Sequence, residues 1–175
     1  MDINTNIFLV GYMYSGKSTI GKQLAKKLGI AFIDTDLLFE QSYHTSIPLF
    51  FKRYGETAFR KLERMILEHS IDENQPHVIS TGGGTACHNN NMDWINAHGI
   101  SVYLEMSAAA ICARAKVSKK PRPLLEGLTE TERLQYITRQ LETRLPFYQK
   151  AHYTIPGLNP DVESLVNLLF PSSTI

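Results

Sequence analysis

Residues 11–19 read GYMYSGKST, and the chain on either side of them decides the fold. A short apolar block, Asn6–Val10 (NIFLV), comes before; a helical pattern, Lys17–Gly29, comes after. Two glycines, a lysine and two hydroxyl residues therefore stand where a strand turns into a helix. Gly11–Ser18 fits the pattern GxxxxGK[ST]. Gly11 and Gly16 let the backbone bend so that several N–H groups point into one concavity. The helix behind adds its own unpaired N–H groups and the positive end of its dipole. In such a loop Lys17 reaches the β- and γ-phosphates of a nucleotide and the Ser18 hydroxyl is a magnesium ligand. Gly11, Ser15, Gly16, Lys17, Ser18 and Thr19 are the candidate nucleotide contacts. A chance match in a glycine-containing turn is the bland alternative, and the order strand, loop, helix argues against it. Tyr14 is a bulky residue inside the loop, and its side chain is expected to point outward if the backbone wraps phosphate.

Outward from this loop, strand-like runs alternate with helical ones. The strands are Asn6–Val10, Ala31–Ile33, His77–Ser80, Ile100–Glu105 and Tyr153–Ile155; helical patterns cover Lys17–Gly29, Ala58–Asp72, Asn91–Ala97, Ala108–Ala115, Glu130–Gln149 and Asp161–Leu169. Alternation of this kind predicts a parallel sheet covered on both faces. Two segments break the rhythm. Asp36 to Asp72 reads as helical throughout and is too long for one crossover helix, so an added substrate-binding lobe is expected there. Lys116 to Gly127 (KVSKKPRPLLEG) holds four cations and two prolines without periodicity. A loop of that length in a compact domain suggests a lid.

The second and third strands end in polar clusters, the zone in which open parallel sheets bind ligands. Phe32–Asp36 reads FIDTD, with Asp34 and Asp36 on one side of an extended segment. One carboxylate can support magnesium and the other can orient an acceptor hydroxyl. The alternative is that one of them, Asp36 above all, caps a helix beginning at Leu37. His77–Gly84 reads HVISTGGG. Three consecutive glycines cost chain entropy and make sense where a ligand meets bare backbone. Many phosphate-loop proteins place a magnesium-supporting aspartate at the end of this strand. Ser80 and Thr81 stand there instead, which moves that task toward Asp34.

Bulk properties exclude several other classes. The 175 residues suit one domain with a full core, and a formal net charge of +1 gives no sign of nucleic acid or an anionic membrane as partner. The apolar run after Asn6 is too short for a signal peptide or a membrane span. The two cysteines, Cys87 and Cys112, lack metal-ligand spacing and are expected to be free thiols in a reducing cytosol. Six scattered histidines leave oxygen ligands as the expected holders of any metal.

In order along the chain, GYMYSGKSTIGKQLA, FIDTD, GETAFRKLE (55–63), ISTGGG, RPLL (122–125) and RLPFY (144–148) resemble the shikimate kinase family. The resemblance runs from about residue 7 to about residue 160, and six ordered motifs are far more specific than a phosphate loop alone. It implies a nucleoside-monophosphate-kinase-like α/β fold: a three-layer αβα sandwich with a five-stranded parallel sheet. It implies one domain over residues 1–175, with the lobe at 36–72 and the lid at 116–127. The implied activity is ATP-dependent phosphorylation of the shikimate 3-hydroxyl, with Mg2+, in aromatic amino-acid synthesis. By the same resemblance Lys17 and Ser18 serve phosphate and magnesium, Asp34 lies near the metal, and Asp36 binds shikimate hydroxyls. Arg60 and Arg144 grip the carboxylate, Gly82, Gly83 and Gly84 line the pocket, and Phe51 and Phe59 form its apolar wall. Arg122 reaches over the ATP phosphates, and Arg114 and Pro160 flank the adenine. The chain departs from the family at Tyr14, where a small residue is usual. It departs again between Arg114 and Arg122, a spacing one residue longer, with Pro121 as the extra residue.

Physical chemistry supports several of these roles. An arginine binds a carboxylate through two parallel hydrogen bonds, which fixes orientation. Arg60 and Glu63 are three apart on one helix, so Glu63 can hold the guanidinium; an ordinary surface pair with Glu56 or Glu63 is the alternative. Arg144 precedes Leu145–Pro146, where the helix is expected to weaken. Lys119 and Lys120 read as a solvated charge run, and core packing is the plain alternative for Phe51 and Phe59. Two rival functions remain: a gluconate kinase-like enzyme, whose substrate is also a hydroxylated carboxylate, and a nucleotide-binding regulatory module without turnover. A cytoplasmic monomer binding only small molecules is expected.

Overall fold

The structure, a computed structural model, describes residues 3–72, 74–118, 125 and 127–171. The elements follow the alternation of the sequence: β1 (Asn6–Val10), α1 (Lys17–Leu28), β2 (Ala31–Asp34), α2 (Thr35–Tyr43), α3 (Ile47–His69), β3 (His77–Ser80), a single 3-10 turn (Thr85–Cys87) and α4 (Asn91–His98). Then come β4 (Gly99–Glu105), α5 (Ala108–Val117), α6 (Glu130–Tyr148), β5 (Tyr153–Pro156) and α7 (Val162–Leu169). The five strands form one sheet in the order β2-β3-β1-β4-β5, every pair parallel.

Side-chain alternation along β1 explains the three layers. Ile7 and Leu9 point to one face, where they pack with Ile20 and Leu24 of α1 and Leu165 and Leu169 of α7. Phe8 and Val10 point to the other, against Met92 and Ile95 of α4, Leu67 of α3 and Tyr148 of α6. A strand buried on both faces needs apolar residues at every position, which is why NIFLV reads as a run rather than an alternation. From β1 the chain passes to the edge strand β2 and returns to β3 between them, then crosses to β4 and β5 on the other side of β1. The crevice at this switch lies beyond the carboxyl end of β1, where the phosphate loop begins.

The 36–72 region is two helices with their own aromatic core. Phe39 of α2 packs against Phe50 and Phe59 of α3 at centroid distances of 5.2 and 4.9 Å. Helix α3 starts well before the expected Ala58. Ser46 caps it by accepting a hydrogen bond from the Leu49 N–H, and Pro48 stands in its first turn. The helix breaks at Gly55 (φ 77°, ψ 175°), which is why periodicity read from the sequence begins only beyond that point.

Two further expectations change. Lys116 and Val117 belong to the last turn of α5 rather than to a loop, and Lys116 Nζ pairs with Glu130 Oε1 at 2.7 Å, joining the end of α5 to the start of α6. Leu125 is buried with Ile111 of α5 and Ile137 of α6, while residues 119–124 and 126, Arg122 among them, lie outside the described residues. Pro146 does not weaken α6, which runs on to Tyr148. The missing N–H removes one bond, but Tyr148 is buried and anchored by its hydroxyl to the Gly83 carbonyl. Among the described residues no helix is long and apolar enough to cross a membrane.

Candidate active site

A cleft of about 980 Å³ opens at the carboxyl ends of β1, β2 and β3. One wall is the loop 11–18. Gly11 has φ 138° and Gly16 φ 99°, conformations costly for any other residue. No side chain caps α1 at Gly16, so the first turn of the helix offers main-chain donors to the cleft. Lys17, only 7% exposed, donates to the carbonyls of Gly11 (2.8 Å) and Tyr12 (2.9 Å). The Ser15 hydroxyl is buried without a hydrogen-bond partner among the described residues; Thr19 is exposed. Tyr14 sits in the left-handed region at φ 63°. Its side chain does not point away from the protein as expected: it is half-buried against the apolar cluster between α5 and α6, because that cluster lies directly beside the loop.

Arg114 of α5 fastens this loop. Its guanidinium donates to the carbonyls of Tyr14 (3.1 Å) and Gly157 (2.9 Å), which ties the phosphate loop to the segment after β5. That segment brings Pro160 into the cleft wall. Gly157 was not anticipated: a Cβ there would lie 2.6 Å from Met106 Cγ and 3.1 Å from the Ser15 carbonyl oxygen. The glycine in PGLNP was the available signal.

Asp34 does two jobs with two oxygens. Oδ1 accepts from the N–H groups of Asp36 (3.1 Å) and Leu37 (3.3 Å), capping α2. Oδ2 accepts from the Ser18 hydroxyl at 2.6 Å. The cap is therefore Asp34 and not Asp36, and the helix begins at Thr35 rather than Leu37. With that task taken, the Asp36 carboxylate faces the cleft. Ser80 Oγ lies 3.4 Å from Ser18 Oγ, so three oxygen-bearing side chains meet at the foot of the loop. Among the described residues no group of three or more His, Cys, Asp or Glu gathers elsewhere into a metal site. A hard cation that keeps several waters and leans on phosphate needs only a few such oxygens, so magnesium fits this set.

The three glycines answer three different crowding problems. A Cβ on Gly82 would lie 2.7 Å from Asp36 Oδ1 and 2.8 Å from Thr85 Oγ1. One on Gly83 would lie 2.9 Å from the Met13 nitrogen in the phosphate loop, and one on Gly84 2.9 Å from Arg60 Nη2. Gly82–Gly84 is thus a bare strip against which the acid, the loop and an arginine all close.

Both arginines of the cleft wall opposite the loop are held firmly. Arg60 donates to Glu63 Oε2 at 2.8 Å and to Glu56 Oε1 through Nε and Nη2 at 3.1 and 2.9 Å. Both pairs form, yet the Arg60 side chain is only 15% exposed, so this is no ordinary surface pair. Glu63 is itself buried and also accepts from Thr85 Oγ1 at 2.6 Å. Phe59 and Phe51 lie under the guanidinium, with ring centroids 5.2 and 5.9 Å away. Phe59 is thereby both core and wall; Phe51 is half-buried and lines the cleft. Arg144 donates to the Gly83 carbonyl (3.1 Å) and to Gln140 Oε1 (2.9 Å). Its guanidinium carbon lies 5.0 Å from the Tyr12 ring centroid. Tyr12, Gln140 and Tyr148 were not anticipated as supports. Tyr148 lay within a quoted motif, but nothing in the order of residues says that its hydroxyl meets Gly83. Close by, burial pushes the Cys87 thiol up to about 11, so it is protonated near neutral pH and is no nucleophile.

Comparisons with known proteins point to one family. The family model described as shikimate kinase matches residues 13–167. A shikimate kinase from Parabacteroides distasonis is 42% identical over 167 residues, covering 93% of this chain and 96% of that protein. The crystal structure of shikimate kinase from Bacteroides thetaiotaomicron superposes with a TM-score of 0.88 at 36% identity, covering 94% of this chain and 98% of the other. Shikimate kinase from Acinetobacter baumannii, in complex with shikimate, gives 0.83 at 32% identity, covering 98% and 96%.

Proposed function

The chain belongs to the shikimate kinase family, and from that premise we propose how its cleft transfers the γ-phosphoryl group of ATP to the 3-hydroxyl of shikimate. The observation that carries the residue assignments is the convergence of Asp36, Arg60 and Arg144 with the phosphate loop on one cleft.

ATP is the co-substrate. Its phosphates lie along the main-chain donors of residues 11–18, and its base lies toward Arg114 and Pro160. A phosphate in the loop draws the Lys17 ammonium away from the two carbonyls it now serves. Phosphoryl transfer passes through a loose, in-line transition state, so positioning and charge neutralisation supply most of the acceleration. Lys17 and Arg122 neutralise charge on the transferring group. Magnesium, bound by Ser18 and supported by Asp34, would add Lewis-acid stabilisation of the phosphate oxygens.

On the other wall Arg60 and Arg144 take the carboxylate and so set the direction of the ring. Asp36 then orients the attacking hydroxyl and accepts its proton. Gly82 leaves room for the Asp36 carboxylate, because a Cβ there would lie 2.7 Å from its Oδ1. A cover over the phosphates, supplied by the segment between α5 and α6, excludes water and suppresses wasteful hydrolysis. The protein acts as a monomer in this reading, and the free thiols Cys87 and Cys112 support a reducing, cytosolic setting.

A side-by-side assay with shikimate, gluconate and nucleoside monophosphates tests the reading. Phosphorylation of shikimate that stops on chelation of magnesium is expected. Turnover of gluconate without turnover of shikimate would sink it.

A further inference from the structure

Tyr12 lies inside the phosphate loop, yet it is not among the residues that line the cleft. The ring is 1% exposed and packs among Met106, Ile111, Cys112, Leu125 and Ile137. Its hydroxyl finds no hydrogen-bond partner among the described residues. What the ring does meet is Arg144, whose guanidinium carbon stands 5.0 Å from its centroid. The other arginine of the acceptor side is built alike, with Phe59 and Phe51 beneath it. Each guanidinium thus rests on aromatic rings, Tyr12 for Arg144 and both Phe59 and Phe51 for Arg60, with carboxamide, carbonyl or carboxylate oxygens at its edge, an arrangement that holds the planar fork in one orientation.

The backbone strengthens the connection. Gly83, whose carbonyl accepts from Arg144, approaches the loop so closely that a Cβ would sit 2.9 Å from the Met13 nitrogen and 3.5 Å from the Tyr12 carbonyl carbon. Arg144 is therefore bounded by residue 12 through a ring and by Gly83 through a hydrogen bond, and those two residues pack on each other. We propose that Tyr12, although part of the phosphate loop, is a positioning residue for the acceptor: its ring is the platform that aims Arg144 at the substrate carboxylate. This deepens the reading of Arg144 given above and rests on it.

The test separates the two sites. Tyr12→Met and Tyr12→Leu both remove the ring and keep an apolar filling; Tyr12→Phe keeps the ring and removes the hydroxyl. The ring-less variants are expected to raise the KM for shikimate about tenfold, with the KM for ATP within about twofold and kcat within about threefold of wild type. Tyr12→Phe is expected to recover most of the shikimate affinity. Combined with Arg144→Ala, Tyr12→Met should add less than about twofold, because the platform then supports nothing. A full additive loss in the Arg144→Ala background, equal losses for both substrates, or a Tyr12→Phe as weak as Tyr12→Met would each overturn the proposal. Should Arg144→Ala itself leave shikimate binding intact, the carboxylate reading fails first, whatever the Tyr12 variants do.

Discussion

On the β1 side of the cleft the groups on offer are main-chain ones: the bends at Gly11 and Gly16, the uncapped start of α1, and a lysine held by two carbonyls. On the opposite side the groups are side chains: Asp36 from α2, Arg60 from α3, Arg144 from α6. Glycines mark both walls for different reasons. Gly11 and Gly16 are needed for positive φ, whereas Gly82–Gly84 have no such φ and are needed for space. A wall of backbone has to be written contiguously, because consecutive N–H groups make the concavity. A wall of side chains can be assembled from any elements that the fold brings together.

Exchanging Lys17 for Met tests the nucleotide wall hardest. The substitution removes a positive charge from the transferring phosphoryl group in a partly desolvated site. A fall in kcat of about a thousandfold is expected, with the KM for shikimate little changed. Steady-state kinetics with each substrate varied will check it. Retention of most activity would show that the loop does not hold the reacting phosphates.

The next effect belongs to the other wall. On the proposed reading Arg60→Ala and Arg144→Ala each remove a fork that would bind the carboxylate about equally in ground and transition states, so the loss should appear mainly as a raised KM for shikimate. A partly desolvated arginine–carboxylate pair is worth roughly a hundredfold in specificity. ATP binding, measured by calorimetry, should change little. If the variants lose ATP and keep shikimate, the two walls have been assigned the wrong way round.

The same contrast explains what was legible. GYMYSGKST announces its own structure, since strand, loop and helix follow from neighbouring residues, and the sheet follows from strands that alternate with helices. Nothing local to Arg60 or Arg144 says that they share a cleft; alone, each reads as a helix-surface cation, and only the resemblance brought them together. Their supports were less visible still. Tyr12 looks like a loop residue, Gln140 and Tyr148 like helix residues, and their partners are set by tertiary packing. The start of α3 was missed because Gly55 interrupts the period while Ser46 and Pro48 begin it earlier. The cap went to Asp34 rather than Asp36 because an Asx cap reaches N–H groups two and three residues ahead.

The smallest effect isolates backbone from side chain within the first wall. Tyr14 stands at φ 63° without being glycine, held there by the Arg114 bond to its carbonyl and by the ring's packing beside α5. Tyr14→Ala and Tyr14→Gly both lose that packing, so their difference reports the backbone alone. In the left-handed region a Cβ costs about 1 kcal/mol, whereas at an ordinary helix position alanine is the more stable of the two. Tyr14→Gly should therefore melt about 3 °C above Tyr14→Ala. The reverse order would mean that the loop relaxes to negative φ once the ring is gone. The ring, rather than Arg114 and the glycines, would then be what shapes the loop, and the nucleotide wall would depend on a side chain after all.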